Sequence, residues 1–530
     1  MVNLDYLYNP EAARKYFDKN YFVDKKLGFQ VIEHGTILPY KNTPLGGLLG
    51  ALGGIIDNEG KFVGDSFVTH SKADKSYNPS QESIQHSSET VIYLGYFYPV
   101  WGHVITDNIR RLWFLKSDAF RKEFKNCPLV YIKWGSTNLE DQSSFKRLLE
   151  ILEVDVDKLK EISQPTQFEK IIMPDSSINV VSYFTNEYKE IIEHMRNFAL
   201  KHRTPTSSKK VYYFHGRRGF GEEWLAEYFK SKGYEIVSPE KLTIDEQLNL
   251  LINAESFAST CGSSSHNSIF LHDDTEVILI VRRHFYPYQK CLDQVHSVNT
   301  NYIDSSLSIF YTRNGPFCYI VSPQLKRFFG DKFDGYEEED FKNFLQYVEN
   351  SIRKGFVVDP STREYYAPIL ENFMEQLKQH EDLITAYNMP PRWEQFRPTL
   401  TYQTHLAKKS WGVWQNEEQI SGSLDNNLDI QAVRINFPGH KVFYAVYFND
   451  KEGWSEEVTN GEQAGTTGKR KSIMGIKIRL DEAGTKEFNI LYRVHKFDGE
   501  WTDWAKNGEC IYSYGQKLNA LQIKLELKGK

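Results

Sequence analysis

The segment 211–281 alternates short apolar runs with amphipathic stretches, and this limits the fold of the 530-residue chain more than any other feature. Strands and helices that alternate at this spacing form a doubly wound parallel sheet, which binds ligands beyond the carboxyl ends of its strands. The predicted strands are 211–214, 233–237 with its leading turn, 256–260 and 276–281. The predicted helices are 222–232 and 242–254, the second with a capping box formed by Thr243 and Glu246. The pattern predicts an α/β domain.

The stretch 255–271 ends the third of these strands in small residues and continues into an apolar helical start at Ile269. Unpaired backbone N–H groups, short hydroxyls and the positive end of a helix then face one point, which suits a phosphate or diphosphate. The alternative is an ordinary strand–helix turn with a serine cap. The residues predicted to bind the anion are Gly262, Ser263, Ser264, Ser265, His266 and Asn267.

Cationic side chains follow two other predicted strands. Arg217 and Arg218 come after the first strand, in a GRRGFG sequence that lacks the dinucleotide-binding order of glycines. Arg282 opens a third cluster, with Arg283 and His284, after the fourth strand. Arginines at the carboxyl ends of strands indicate direct pairing with phosphates, with a solvated basic turn as the alternative.

A second candidate site lies earlier in the chain, where an aromatic loop precedes a helical pattern that begins at Gly102. His103 and Asp107 are four residues apart, so they share one face of the first turn. A histidine beside a carboxylate is the arrangement of an oriented general base. A capping or salt-bridged pair at a helix start is the alternative. Residues 119–200 continue the alternation of apolar strands and polar helices.

Composition excludes several classes of protein. A net charge of -6 provides no basic field for nucleic acid. The five cysteines are scattered, which indicates neither a disulfide framework nor a metal site, and the amino terminus has no signal-peptide pattern. We therefore expect a cytoplasmic protein. The low-charge run 44–57 predicts a buried loop or, alternatively, a peripheral contact with the inner face of the membrane.

The region 211–283 resembles the family 61 glycosyltransferases, which include eukaryotic sugar transferases and many bacterial enzymes of polysaccharide synthesis. The Arg217-Arg218 loop, the 233–237 strand, Glu246-Gln247 and the 262–270 signature follow the order of that family's motifs, and 96–107 resembles its earlier signature. Two positions depart from the pattern, since Asp107 stands where Glu is common and His266 where Thr is usual. The resemblance extends over roughly residues 45 to 300.

The resemblance implies a two-lobed GT-B-like fold of Rossmann type and an inverting reaction that needs no metal or other cofactor. The expected activity is transfer of a hexosyl or N-acetylhexosaminyl group from a nucleotide-sugar, with a UDP-sugar as the expected donor. The acceptor would be a glycan, glycolipid or glycoprotein, in polysaccharide biosynthesis or protein glycosylation. The alternative is a catalytically inactive glycan-binding or assembly protein. The adjacent Asp273-Asp274 follow a helix, which is a poor geometry for a metal clamp.

The last 130 or so residues change to strand-and-turn sequence with three internal copies. When Trp411, Trp454 and Trp501 are aligned, apolar residues recur at +22, +24 and +26, which predicts one buried strand face in each copy. These copies resemble the clostridial hydrophobic repeats with a marker tryptophan. They predict a pseudo-threefold all-β module, whose tryptophans either fill the shared core, the preferred reading, or stack on glycans. The module could also support a homo-oligomer.

Four regions are therefore expected. They are an acceptor-side α/β lobe at 1–204, a nucleotide-sugar donor lobe at 205–315, a helical segment bracing the lobes at 316–395, and the all-β module at 396–530.

Overall fold

The computed structural model describes most of the chain. The residues described are 2–42, 51–67, 76–80, 83–135, 143–207, 209–216, 219–282, 287–310, 312, 315–354, 356, 358–387, 400–424, 428–437, 440–449, 451–513 and 515–528. They form two compact units. The first comprises 1–217, 222–306 and 321–333, and the second comprises 218–221, 307–320 and 334–530.

The first unit contains a six-stranded sheet in which every neighbouring pair of strands is parallel. In spatial order its strands are Val2–Tyr6, Asn299–Asp304, Glu276–Val281, Ser256–Thr260, Lys210–Tyr213 and Glu235–Val237. The chain order reverses between the fourth and fifth of these strands, so ligands are expected beyond their carboxyl ends. The Gly262–Asn267 loop and the turn at His215 both begin there.

Helices cover this sheet because strands of a parallel sheet are buried on both faces. Glu276–Val281 is buried from its second residue onward. Ile244–Asn253 begins with the predicted capping box, in which Thr243 and Glu246 bond each other's backbone N–H groups. The helices of the first unit outside the candidate site are Pro10–Phe17, Ser143–Ile151, Asn186–Lys201, Glu222–Ser231, Ile244–Asn253, Pro287–Leu292 and Pro323–Phe328.

The second sheet of the same unit has seven strands and is mixed. Its longest strand, Gln85–Phe97, pairs in parallel with Thr166–Pro174 and Leu129–Lys133. The other strands are Phe29–Glu33, Thr36–Asn42, Ala51–Ile56 and Leu159–Glu161, and a separate antiparallel pair joins Ile178–Asn179 to Tyr183–Phe184. One cluster of buried side chains extends through both sheets. The predicted α/β class is therefore confirmed, with two sheets that share a core.

Part of the low-charge run 44–57 is described. Residues 51–56 form a largely buried strand, and a tight turn follows, in which the Gly60 N–H donates to the Asp57 carbonyl. Residues 44–50 lie outside the described ranges. Within the parts of the chain that the structure describes, no helix combines the length and the apolar character needed to cross a bilayer.

The second unit begins with a short parallel pair and continues with helices. Gly219–Phe220 pairs with Phe317–Cys318. The helices are Glu338–Arg353, Pro360–Leu377 and Glu381–Ala386. The Pro390-Pro391 break predicted before the repeats lies outside the described residues.

The repeat region forms three four-stranded antiparallel sheets, which confirms the predicted all-β module. Each copy supplies four strands. They are Thr401–Leu406, Gln415–Asn416, Ser421–Gly422 and Ile430–Asn436 in the first copy, Val442–Tyr447, Val458–Thr459, Ala464–Gly465 and Gly475–Leu480 in the second, and Phe488–Lys496, Ala505–Lys506, Ile511–Tyr512 and Leu518–Leu527 in the third. A short helix, Glu482–Glu487, joins the second and third copies.

The copies exchange strands in a cycle. The third strand of each copy, a two-residue segment, pairs with the last strand of another copy rather than with its own. Ala464–Gly465 joins the sheet of the first copy, Ile511–Tyr512 joins that of the second, and Ser421–Gly422 joins that of the third. The last of these pairings closes the cycle, so the module has the predicted threefold arrangement.

The core of the module contains the predicted strand faces but not the marker tryptophans. Val433, Ile476 and Ile523, the +22 residues, are all buried. Trp411, Trp454 and Trp501 are only partly buried and lie outside the core cluster. The preferred expectation that these rings fill the core was therefore wrong. Each ring instead packs against a histidine or tyrosine of the first strand of its copy.

Candidate active site

His103 and Asp107 form the first half of the site. Nδ1 of His103 lies 2.7 Å from Oδ2 of Asp107. A carboxylate only accepts hydrogen bonds, so the bond protonates His103 at Nδ1 and leaves Nε2 as its basic nitrogen. The Thr106 hydroxyl donates to the same carboxylate oxygen at 3.1 Å and to the Gly102 carbonyl at 2.8 Å. The pair is thus fixed in orientation.

The backbone around this pair is irregular rather than the regular α-helix predicted from Gly102 onward. A short α-helical turn, Trp101–His103, continues into a π-helical segment, Val104–Asn108, and a 3₁₀ segment follows at Leu112–Lys116. Single π turns inside helices occur often at functional sites. The wider turn keeps His103 and Asp107 in contact while Asp107 is almost fully buried.

An aromatic stack adjoins His103. The Tyr98 ring lies 4.9 Å from the His103 ring and 4.7 Å from the Trp134 ring, measured between centroids. Asn108 fixes this loop, because its side chain accepts from the Tyr98 N–H and donates to the Tyr98 carbonyl, both at 3.1 Å. Sequence reasoning missed this role of Asn108, since an amide at a helical position gives no signal of the loop it bonds.

Two buried arginines support the same region. Arg111 donates to the Pro174 carbonyl at 2.8 Å and to the Asp65 carbonyl at 2.6 Å. Arg110 donates to the Phe67 carbonyl at 3.0 Å. Burial and the positive charge of the neighbouring Arg110 lower the pKa of Arg111 to about 10. Neither arginine was predicted to be near the site, because arginines are rarely fully buried.

The predicted phosphate loop forms the second half. Strand Ser256–Thr260 ends, and Gly262 follows with Arg282 packed directly against it, so that a β-carbon at this position would lie 2.6 Å from Arg282 Nη2. The same arginine donates to the Thr260 hydroxyl at 3.2 Å. The structure therefore brings Arg282 beside the loop, as the pattern predicted.

The helix after the loop differs from expectation. Ser265–Phe270 is a 3₁₀ helix of six residues and ends where an apolar helix was predicted to begin. So short a segment sums few peptide dipoles, and its contribution to anion binding is smaller than that of a long α-helix. The hydroxyls and N–H groups of the serines and the nearby arginine are left as the main groups for an anion.

The two halves of the site meet directly. Nε1 of Trp101 donates to Oδ1 of Asn267 at 3.0 Å, and Nδ2 of Asn267 donates to the Ser264 carbonyl at 2.9 Å. A β-carbon at Gly102 would lie 3.0 Å from Oγ of Ser263. A larger residue at position 102 would therefore require Ser263 or His266 to shift. Two motifs separated by about 160 residues in the sequence are therefore neighbours in space.

His266 is held by a buried network that sequence reasoning did not identify. Gln289 Oε1 accepts from the Ser265 hydroxyl at 2.7 Å and from His266 Nδ1 at 2.9 Å, while Gln289 Nε2 donates to Asp293 at 2.8 Å. Tyr302 donates to the other Asp293 oxygen at 2.6 Å. Burial lowers the pKa of His266 to about 4 and raises the pKa of Asp293 to about 6.

Glu222 anchors the loop that carries two of the predicted arginines. Its carboxylate accepts the backbone N–H groups of His215 and Gly216, both at 3.1 Å. Burial raises the pKa of Glu222, and these two bonds and the charge of Arg282 oppose that rise. Arg217 and Arg218 themselves, with Arg283 and His284, lie outside the described residues.

A cavity of about 370 Å³ opens beside the junction of the two halves. Its lining combines apolar and aromatic side chains with polar ones. The lining residues are Pro99, Trp101, Val104, Ser144, Phe145, His215, Pro239, Glu240, Leu242, Gln247, Ser263, Ser264 and Asn267. Its size and mixed lining suit a small organic ligand with a polar part.

These features place an oriented histidine and a loop of small polar residues with an adjacent arginine in one α/β unit. Residues 101–278 match the family model Glycosyltransferase 61, and this range contains His103, Asp107 and the Gly262–Asn267 loop. The match confirms the resemblance to that family seen in the sequence. Residues 451–482, within the second repeat, match the model Clostridial hydrophobic W. No curated protein matches the chain.

Proposed function

We propose that the protein is an inverting, metal-independent glycosyltransferase of GT-B-like architecture that uses a nucleotide-sugar donor. The observation that carries the proposal is the contact between the His103–Asp107 segment and the Ser263–Asn267 loop, made by Trp101 and Asn267. A base for the acceptor hydroxyl and an anion site for the leaving diphosphate then stand on opposite sides of one reaction centre, as an inverting transfer requires.

The donor diphosphate binds at the carboxyl ends of the parallel strands. Arg217, Arg218 and Arg282 neutralise its charge, together with the loop residues Gly262, Ser263, Ser264, Ser265, His266 and Asn267. These groups stabilise the charge that develops on the leaving group, so the reaction needs no metal ion. The adjoining cavity receives the nucleoside, whose flat base packs against its aromatic and apolar lining. A UDP-sugar is the expected donor.

His103 is the general base and Asp107 orients it. The side chain of His103 is 15% exposed and that of Asp107 only 5%, and the Asp107 carboxylate already accepts from both His103 and Thr106. His103 is therefore the better placed of the two to reach a substrate. Its Nε2 takes the proton of the acceptor hydroxyl as the oxygen attacks the anomeric carbon from the face opposite the diphosphate.

The acceptor is a sugar hydroxyl of a glycan, glycolipid or glycoprotein. The partly exposed Tyr98 ring, directly beside His103, supports a sugar acceptor, because aromatic faces pack well against the C–H groups of a pyranose ring. Which hexosyl or N-acetylhexosaminyl group is transferred depends on a few contacts in the donor pocket.

The test is release of nucleoside diphosphate from a panel of nucleotide-sugars, without acceptor and with chelator present. Slow hydrolysis of one donor that persists in chelator, and that His103→Ala abolishes without weakening donor binding, would support the proposal. Binding of a nucleotide-sugar without any turnover, with or without glycan acceptors, would instead favour an inactive glycan-assembly protein. Activity that requires an added divalent ion would contradict the metal-independent mechanism.

A further inference from the structure

The marker tryptophans of the β module carry a second, independent feature, which is a cation over each ring. Cζ of Arg434 lies 4.3 Å from the centre of the Trp411 ring, and Cζ of Arg493 lies 4.8 Å from that of Trp501. In the second copy, Nζ of Lys477 lies 5.2 Å from the Trp454 ring. All three tryptophans are partly exposed, so each aromatic–cation pair reaches the surface of the module.

The first and third copies share a feature that the second copy lacks. Each has a second tryptophan three residues after the first, Trp414 and Trp504, and both of these are partly exposed. In the third copy Arg493 lies over both rings, since its Cζ is 4.7 Å from the centre of Trp504, and Lys524 lies 4.9 Å from that ring. The third copy thus has two partly exposed indole rings, with Arg493 over both and Lys524 over that of Trp504.

The second copy replaces this second tryptophan with an acid. Glu457 occupies the equivalent position, and its carboxylate accepts hydrogen bonds from Arg479. Arg479 also stacks on an aromatic ring, with its Cζ 4.2 Å from the Phe443 centroid. The same module therefore contains one stacked arginine that is neutralised internally, beside two that are not. Among the described residues, neither Arg434 nor Arg493 forms an ion pair with a carboxylate.

A guanidinium stacked on an indole is a preorganised anion receptor. The ring restricts the guanidinium plane. The terminal Nη groups remain to bond a carboxylate, because Nε of Arg434 is buried and Nε of Arg493 already donates to Gln522 Oε1 at 2.9 Å. Holding the side chain in place beforehand reduces the entropy lost when a ligand binds. The indole beside it offers an apolar surface for the C–H face of a sugar ring.

We propose that the first and third copies of the β module bind an acidic polysaccharide, in which a sugar ring packs on the marker tryptophan and its carboxylate bonds to Arg434 or Arg493. A neutral glycan would leave the guanidinium charge without a counterion, and a simple anion would leave the indole without an apolar partner. A polymer whose sugar rings themselves carry carboxylates satisfies both. Two sites on one module also allow one chain of such a polymer to bind twice, which raises the overall affinity. The inference does not depend on the proposed transferase activity.

The experiment is calorimetry of the full chain with polygalacturonate and with alginate oligosaccharides. Methyl-esterified polygalacturonate is the matched neutral ligand, since it keeps the sugar rings and removes the charge. The test variants are Arg434→Gln/Arg493→Gln and Trp411→Ala/Trp501→Ala, and the matched control is Arg479→Gln, which removes a stacked but neutralised arginine. Circular dichroism checks that each variant is folded, and the arginine variant tests the site even if the tryptophan variant does not fold.

We expect the wild-type protein to bind at least one of the two polyuronates, with an affinity that decreases as salt increases. The double arginine variant should bind about tenfold more weakly or worse, as expected for the loss of a charge-assisted hydrogen bond. Arg479→Gln should bind like the wild type. The proposal is overturned if neither polyuronate binds, if the ester binds equally well, or if Arg479→Gln is as impaired as the double variant. Variants that lose thermal stability but bind normally would show that the pairs only brace the fold.

Discussion

The indole of Trp101 donates a 3.0 Å hydrogen bond to the side chain of Asn267, and this bond joins the segment of the proposed base to the loop of the proposed donor site. Trp101 follows the strand Gln85–Phe97 of the seven-stranded sheet, and Asn267 follows the strand Ser256–Thr260 of the six-stranded sheet in the same compact unit. Their contact connects the two segments to which we assign the base and the donor site, so it gives a direct way to test that proposal.

Trp101→Phe should remove this bond while keeping most of the ring. We expect kcat/KM to fall about fivefold to tenfold, the effect of losing one hydrogen bond of about 1 kcal/mol. Trp113→Phe is the matched control, since Trp113 donates to the Asp175 carbonyl at 2.8 Å away from the junction. Steady-state kinetics should show a loss only for Trp101→Phe, and equal losses would mean that the junction has no special role.

Asp107→Asn should preserve the shape of the site but remove the charge that orients His103. We expect turnover to fall by ~10²–10⁴-fold, the contribution of a positioned acid or base. The affinity for the donor should remain, because the Asp107 carboxylate bonds His103 and Thr106 rather than the phosphate loop.

The control for this change is Asp118→Asn, which alters an exposed carboxylate paired with Arg121 and should leave turnover unchanged. His103→Ala separates the roles of the pair. If Asp107 were itself the base, His103→Ala would retain much of the activity. Near-wild-type rates in both variants would place the base elsewhere.

Arg218→Ala should weaken the binding of nucleoside diphosphate by ~1.5–3 kcal/mol, the size of a charge-assisted hydrogen bond. The physical reason is that the loop holding Arg218 is anchored at the carboxyl end of a central strand by Glu222. Calorimetry with UDP measures the effect, and Arg121→Ala, at an exposed ion pair, is the control. An unchanged affinity in a folded variant would remove this loop from the donor site.

The dependence of stability on pH should change in opposite directions when His266 and Asp293 are replaced. The pKa of His266 is about 4 in the native state and near 6.5 in the unfolded state. Between these values the unfolded state binds more protons, so the contribution of His266 to stability falls as the pH decreases. The pKa of Asp293 is about 6 in the native state and near 3.9 in the unfolded state. The native state therefore binds more protons over nearly the same range, and the contribution of Asp293 to stability rises as the pH decreases.

The two contributions therefore largely cancel in the wild-type protein. When the pH is lowered from 7 to 5, the free energy of unfolding of His266→Gln should increase by roughly 1–2 kcal/mol relative to that of the wild type. That of Asp293→Asn should decrease by a similar amount. Denaturant unfolding at the two pH values measures both changes. If the free energy of unfolding changed equally with pH in all three proteins, the opposite pKa shifts of His266 and Asp293 would be contradicted.

A chain that ends at residue 395 should fold and bind nucleoside diphosphate with the affinity of the full protein. The reason is that the β module has its own core, made only of residues after 399. Circular dichroism and calorimetry on the 1–395 fragment test this. An unfolded fragment would show that the modular interpretation is wrong.

Much of the fold followed from local patterns. The strand Glu276–Val281 and the capping box at Thr243 are determined by neighbouring residues, and both were predicted correctly. The 3₁₀ geometry of Ser265–Phe270 was not, because it depends on the buried bonds of Ser265 and His266 to Gln289. A contact set by tertiary packing leaves no periodicity in the sequence.

The same distinction applies to the site. His103 and Asp107 could be paired from their spacing, since four residues bring two side chains onto one helical face. Glu222 and Asn108 could not, because each acts by bonding the backbone of a loop, and the sequence does not show which loop lies nearby. The marker tryptophans were misjudged because recurrence in every copy is expected equally of a core residue and of a repeated surface site.

The cyclic exchange of strands in the β module explains why it contains three copies. In each copy the last strand pairs with the third strand of another copy, not with its own. One or two copies alone would therefore leave at least one last strand without this partner. Three copies close the cycle and leave none of these exchanged pairings unfilled. The three copies pair as the subunits of a cyclic trimer would, but linkers join them in one chain. The number of repeats is therefore set by closure rather than by the number of ligands.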